Sequence, residues 1–187
     1  MQRTDHGERI HTLHPVLSEA ECAAFIRRAE EAGFDTATIN GAQGVRVDTR
    51  VRNNDRAMIR DEALAAELWA RVRGHLPATL GKMRAIGLNE LFRFYRYAPG
   101  QRFAEHVDGA YQSPRGPVSM LTFMIYLNEG YAGGATRFGS AEISGRAGMA
   151  LVFDHRYRHE GAVLESGVKY VLRSDVMFEF APQGEAP

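Results

Sequence analysis

The stretch Arg93-Phe-Tyr-Arg-Tyr-Ala-Pro-Gly-Gln-Arg-Phe-Ala-Glu-His-Val-Asp108 decides how the rest of the chain is read. It begins aromatic and extended, turns at Pro99-Gly100, and ends in His106-Val107-Asp108. Residues i and i+2 of a strand point to the same face. The His106 imidazole and the Asp108 carboxylate can therefore meet at one metal ion without distorting the backbone. A second histidine from a distant strand, His155 or His159, would complete two histidines and one carboxylate. That set holds one face of an ion and leaves the other open, which suits Fe(II) in oxygen chemistry.

On the C-terminal side the pattern stays β. Val118 to Leu127 reads as a long strand, followed by a glycine-rich turn from Asn128 to Gly134. Thr136 to Phe138, Ala141 to Ser144 and Met149 to Phe153 read as short strands, and Lys169 to Phe180 as a final long one. Short strands with turn signals at regular spacing predict a sandwich or barrel. On the N-terminal side the pattern is helical. Ser18 and Glu21 form a capping box, Cys22, Phe25, Ile26 and Ala29 recur at helical spacing, and Gly33 stops the run. A second helix is predicted from Asp61 to before Pro77, with Leu64, Leu68, Val72 and Leu76 on one face. Asp35 to Val51 reads as a hairpin or two weak strands. The expectation is a mainly β protein with helical support (α+β). Residues 1–90 would be a largely helical support segment and 91–180 a β core carrying the site, within a single domain over 1–187.

Composition narrows the function. The 187 residues are 44% hydrophobic and 10% aromatic, and 23 cationic side chains balance 23 acidic ones. A net charge of zero argues against a dedicated nucleic-acid or anionic-membrane binder. No apolar run reaches the roughly 18 residues of a membrane span, and Met1 to Glu8 does not read as a signal peptide. The single cysteine, Cys22, excludes an internal disulfide and a cysteine-based zinc site, and its helical setting makes it a small buried hydrophobe. A soluble, cytoplasmic protein acting on a small-molecule or peptidyl partner is expected, with neither nucleic acid nor membrane involved. Only two of the cations, Lys82 and Lys169, are lysines.

The stretch from Arg93 to Asp108 resembles the core of the prolyl 4-hydroxylase-like Fe(II)- and 2-oxoglutarate-dependent dioxygenases. That family has a tyrosine, Pro-Gly, an aromatic residue and then His-x-Asp. Leu121 to Asn128 is similar to its Tyr-Leu-Asn strand, Gly133-Gly-Ala-Thr136 to its Gly-Gly-x-Thr, and Gly148 to Phe153 to the glycine and strand before its second histidine. His159-Glu-Gly161 and Lys169 match the distal histidine and the basic residue ten positions on.

The resemblance implies a double-stranded β-helix, or jelly roll, with the N-terminal helices packed outside. It implies Fe(II) held by His106, Asp108 and His159, and leaves His155 behind the ligands or at the rim. It implies 2-oxoglutarate and O2 as cosubstrates, with ascorbate as an aid to keeping the iron ferrous. The reaction would hydroxylate an unactivated C–H of a peptidyl residue, proline included, or of a small amino-acid-like substrate, releasing succinate and CO2.

A dicarboxylate bound to iron at one end buries a second carboxylate that needs a cation. Lys169 fits, and alternation along the last strand turns Arg173 to the same side. Tyr97, Tyr126 and Thr136 are further candidates for the cosubstrate. Arg52, Asn53, Tyr111 and Arg173 are candidates for the substrate. The hydrogen-bonding run from Asp48 to Arg56 reads as substrate-facing, and Gly109 to Pro117 as a lid. A rim of Arg46, Arg50, Arg52, Arg56 and Arg115 would favour an acidic substrate. The rival expectation is a non-catalytic metal-binding jelly roll acting as a sensor or interaction module, for which Lys169 would have no use. A hydrolase or isomerase with another divalent metal is a third reading, and the lysine speaks against it as well.

Overall fold

A computed structural model describes residues 1–41, 44–139 and 141–181. Helix α1 (Glu19–Ala32) starts where the capping box predicts. The Ser18 hydroxyl accepts from the Glu21 N–H, the Glu21 carboxylate accepts from the Ser18 N–H, and Gly33 closes the helix at φ +82°. Helix α2 (Glu62–Val72) is capped by Asp61, whose carboxylate accepts from the Leu64 N–H, and a short 3-10 turn follows it. Among the described residues no helix is long and apolar enough to cross a membrane.

The β structure is antiparallel. Its labelled strands are β1 (Gln2–Gly7), β2 (Ile10–His14), β3 (Asp55–Arg60), β4 (Met83–Leu88), β5 (Leu91–Tyr97), β6 (Phe103–His106), β7 (Val118–Tyr126), β8 (Thr136–Phe138), β9 (Ala150–Asp154), β10 (His159–Gly161) and β11 (Lys169–Phe180). The major sheet runs β1-β2-β9-β7-β11-β5-β3, and Asp35–Thr36 adds to its far edge. β4 pairs with the C-terminal half of β11, beyond the end of β5. The minor sheet runs β6-β10-β8 and ends on Glu142–Ile143. Two sheets of this kind make a jelly roll.

The two-residue period of the major sheet sorts its side chains into two apolar layers. Phe92 and Phe94 of β5, Leu121, Phe123 and Ile125 of β7, and Leu172 and Val176 of β11 share one cluster with Cys22 and Ala29 of α1 and with Leu64, Leu68 and Val72 of α2. Tyr95 and Tyr97, Tyr126, Leu151 and Phe153, and Val171 form the other cluster with Phe138 of the minor sheet. Cys22 is the small buried hydrophobe expected of it.

The first 90 residues are not largely helical. They supply β1 to β4 to the major sheet in addition to the two helices. The helical pattern dominates the sequence there because the strands are short or lie at edges. β1 is almost wholly solvent-facing and has no apolar alternation, and β3 buries only Ala57 within a charged run. The expected hairpin after α1 is present as Ile39–Gly41 paired with Gly44–Arg46, and its tip, residues 42 and 43, lies outside the described residues.

Gly148 joins the N-terminal segment to the sheet. Its carbonyl accepts from the Val16 N–H at 2.8 Å, and a Cβ at this position would lie 2.0 Å from the Leu17 carbonyl oxygen at φ +76°. Gly148→Ala is expected to destabilise the fold by about 2–3 kcal/mol, because clash and left-handed backbone add. Urea denaturation checks this, and a midpoint unchanged from the native chain would refute it.

Candidate active site

His106 ends β6 and His159 begins β10, and these neighbouring strands bring the two residues opposite one another. Asp108 follows two residues after His106, with its N–H bonded to the His155 carbonyl. His106 Nε2 is 3.6 Å from Asp108 Oδ1, and His159 Nε2 is 3.7 Å from Asp108 Oδ2. The donor atoms of all three lie within 4.8 Å of one another.

Both rings are oriented for ligation. His106 Nδ1 lies 2.8 Å from the Ala104 carbonyl and His159 Nδ1 3.0 Å from the Tyr157 carbonyl. Each Nδ1–H donates to backbone, which leaves each Nε2 lone pair for an ion. Phe103 stacks on the His106 ring at 3.5 Å, and Phe153 meets the His159 ring edge-on. Burial lowers the His159 pKa to about 4, so the ring is neutral at neutral pH, as a metal ligand must be. Burial alone would raise the Asp108 carboxyl. The Arg173 guanidinium, 3.1 Å away, and the contacts from His106, His159 and Thr122 hold it well below the usual carboxylate range. Two imidazoles and one carboxylate on one side of a pocket fit Fe(II).

Sequence reasoning missed the group that holds Asp108. The Thr122 hydroxyl of β7 donates to Asp108 Oδ2 at 2.5 Å and lies 2.9 Å from His155 Nδ1. His155 Nε2 lies 2.9 Å from the Ser119 hydroxyl, which accepts from the Tyr111 N–H. Every donor in this chain is used when His155 is neutral with its proton on Nδ1, and burial lowers the His155 pKa accordingly. The structure thus places His155 behind Asp108, fully buried, and away from the rim. Thr122→Val keeps the shape and removes the hydroxyl between Asp108 and His155. It is expected to weaken iron binding about 10–100-fold. Anaerobic equilibrium dialysis measures this, and an unchanged affinity would leave Thr122 without the role given to it here.

On the opposite sheet, Lys169, Val171 and Arg173 of β11 line the same pocket, as alternation predicts, together with Tyr97 and Thr136. Lys169 is 3% exposed and donates to the Gly134 carbonyl, and no carboxylate contacts it among the described residues. Its ammonium lies 5.4 Å and 5.2 Å from the ring centres of Tyr97 and Tyr126. Burial lowers its pKa to about 8. Gly134 is in left-handed backbone, and a Cβ there would lie 3.3 Å from Lys169 Cδ, so the paired glycines make room for this side chain. Tyr126 does not line the pocket itself; it stands behind Thr136, whose hydroxyl it meets at 2.7 Å, and beside Lys169.

A wider groove of about 460 Å³ opens outward from His106 and Asp108, and Arg52, Tyr111 and Arg173 line it. Asn53 does not, because its side-chain oxygen accepts from the Arg102 N–H at 2.7 Å and ties down the loop. The expected five-arginine rim does not gather. Arg46 and Arg50 pair with Asp48, and Arg115 lies in a separate depression with Arg60. Arg52 and Arg56 do reach the groove, where Arg93 and Arg173 join them. The segment 109–117 stands beside the groove and is laced by bonds from Gln112 Nε2 to the Gly116 carbonyl and from the Ser113 N–H to the Pro117 carbonyl.

Residues 92–174 match the family model of the 2OG-Fe(II) oxygenase superfamily. With the jelly roll and the His-Asp-His triad, that match supports a 2-oxoglutarate- and Fe(II)-dependent dioxygenase. In fold it is prolyl 4-hydroxylase-like. It is similar to a viral collagen prolyl hydroxylase from Paramecium Bursaria Chlorella virus-1, solved with 2OG, at 17% identity and TM-score 0.66 over 94% of this chain and 98% of that one. A Pseudomonas putida prolyl-4-hydroxylase is 18% identical with TM-score 0.63, over 89% of this chain and 91% of that one. A Trichoplax adhaerens prolyl hydroxylase, solved with a hypoxia inducible factor peptide fragment, is 18% identical with TM-score 0.69, over 89% and 82%. No curated protein matches the sequence.

Proposed function

We propose that the chain hydroxylates an unactivated C–H of a peptidyl residue, proline included, or of a small amino-acid-like substrate, converting 2-oxoglutarate and O2 to succinate and CO2. In this reading His106, Asp108 and His159 hold the iron. Lys169 pairs with the far carboxylate of 2-oxoglutarate, Tyr97 and Thr136 flank it, and Tyr126 orients Thr136. Fe(II) and 2-oxoglutarate supply the oxidising chemistry when bound. The chain itself orients the cosubstrate, holds the substrate C–H near the open face of the ion, and keeps water out with Phe103, Phe153 and Val171. Arg52, Tyr111 and Arg173 face the substrate.

The observation that carries this reading is Lys169, a buried cation without a carboxylate, in one pocket with a ligand triad suited to ferrous iron. A metal-binding module without catalysis would have no use for it. We read residues 1–187 as one dioxygenase unit, working in a reducing, cytoplasmic setting that keeps iron ferrous, with ascorbate in support. The test is succinate release from 2-oxoglutarate. It is expected to need iron and to stop on chelation. A chain that binds iron but converts no 2-oxoglutarate would instead be the sensor or interaction module.

A further inference from the structure

Arg52 lies in the outer groove and is 4% exposed. Its guanidinium is sandwiched 4.2 Å from the Tyr95 ring centre and 4.4 Å from that of Phe103. Phe103 in turn stacks on His106, so one aromatic ring separates the cation from a metal ligand. Arg52 Nε donates to the neutral Asn54 side chain, and Arg52 Nη2 has no partner. Two more buried polar groups of this space, the Tyr95 hydroxyl and Arg173 Nε, make no hydrogen bond of good geometry among the described residues, although the Tyr95 and Arg173 side chains lie against one another. The groove's two carboxylates are already engaged, Asp108 with Arg173 and Asp175 with both Arg93 and Arg173. No carboxylate pairs with Arg52 among the described residues.

A buried guanidinium without an anion is costly. Stacking fixes its plane, and a planar fork suits a carboxylate. We infer that the substrate is a small molecule with a free carboxylate, which Arg52 anchors together with the Tyr95 hydroxyl one aromatic ring away from the metal ligands. This rests on the hydroxylase reading above and chooses between its two substrate classes. A proline or any other non-acidic residue internal to a peptide offers only neutral amides and would leave Arg52 buried without a partner. An amino acid brings both the anion and a C–H a few bonds from it.

The test measures succinate release by the iron-loaded chain with three sets of probes. These are the free proteinogenic L-amino acids, their primary amides, and N-acetylated, C-amidated peptides with the same residues internal. At least one free acid is expected to stimulate release, its amide to need about 100-fold higher concentration, and the capped peptide to do nothing. Arg52→Gln is expected to raise the half-saturating concentration of that acid about 100-fold without a matching rise for 2-oxoglutarate. Arg52→Lys should recover only part, because it keeps the charge and loses the stacked fork. Anaerobic equilibrium dialysis of the same acid, with iron and 2-oxoglutarate present and no turnover, should show the same weakening. Equal response to acid and amide, stimulation by a capped peptide, or no stimulation by any free acid while 2-oxoglutarate is still converted would each overturn the anchor alone. No conversion of 2-oxoglutarate at all would remove the hydroxylase reading, and the anchor with it.

Discussion

Lys169→Ala is expected to raise the apparent KM for 2-oxoglutarate by about 100-fold or more while leaving iron affinity nearly unchanged. In the proposed function Lys169 meets only the end of the cosubstrate that is away from the ion. Its loss leaves that carboxylate buried without a counter-charge, at a cost of about 3–5 kcal/mol. Lys169→Arg should recover part, since it keeps the charge but crowds the Gly134 turn with a longer fork. The pH dependence has a definite sign. Burial places the Lys169 pKa at about 8 in the ligand-free chain. Above that pH the free protein loses the cation, so the KM for 2-oxoglutarate should climb toward tenfold per pH unit.

Stability should move the other way. At neutral pH the fold carries an ammonium it would rather not bury, and the penalty fades as pH rises from about 8 toward 10.5. Lys169→Met should therefore stabilise the ligand-free chain by about 1–3 kcal/mol while destroying cosubstrate binding. Thermal unfolding checks both halves. A destabilised Lys169→Met chain with an unchanged KM would show that the lysine is only structural.

His106→Ala, Asp108→Ala and His159→Ala are each expected to abolish turnover and reduce iron binding below detection, since two ligands do not hold Fe(II) in competition with water. The three should differ in stability. Removing Asp108 takes one of the two carboxylates from Arg173 and should cost about 1–3 kcal/mol, whereas the histidine variants lose only an edge of the pocket. His155→Ala should weaken iron binding without abolishing it, because it removes the support of Asp108 and leaves all three ligands. Iron content after anaerobic reconstitution, read beside thermal unfolding, distinguishes these results. An essential His155 with a dispensable His159 would reverse the ligand assignment.

Parts of this arrangement were legible because they follow local rules. The Ser18-Glu21 box announces α1, the His-x-Asp spacing brings its two side chains together even though the strand ends at His106, and the odd residues of β11 share the pocket as their period requires. Other parts depend on pairing that no local pattern records. Ser119 and Thr122 are three positions apart, an odd offset that should place them on opposite faces, yet both bond His155. The register of β7 against β11 shifts between Ser119 and Leu121, and a bulge of this kind breaks the two-residue period. β3 was hidden because its buried face is little more than Ala57 in a run of charges. The arginine rim was misjudged because sequence cannot show which guanidinium already has a partner. Asp48 takes Arg50, whose side chain stays 88% exposed, while Arg52 is folded under two rings.

The position of β11 has a consequence for how this protein could be retargeted. The strand is flanked by β7 on one edge and by β5 and then β4 on the other, so its amides open only when much of the sheet opens. Lys169 and Arg173 therefore sit where a substitution disturbs the whole fold. Arg52 sits in a segment that meets β6 through a single isolated bridge, and Tyr111 in a loop. A library spread over residues 48–53 and 109–117 could redraw what enters the groove and still yield folded chains, whereas one spread over β11 would return mostly unfolded ones. Substrate preference and cosubstrate use are in this sense separately evolvable.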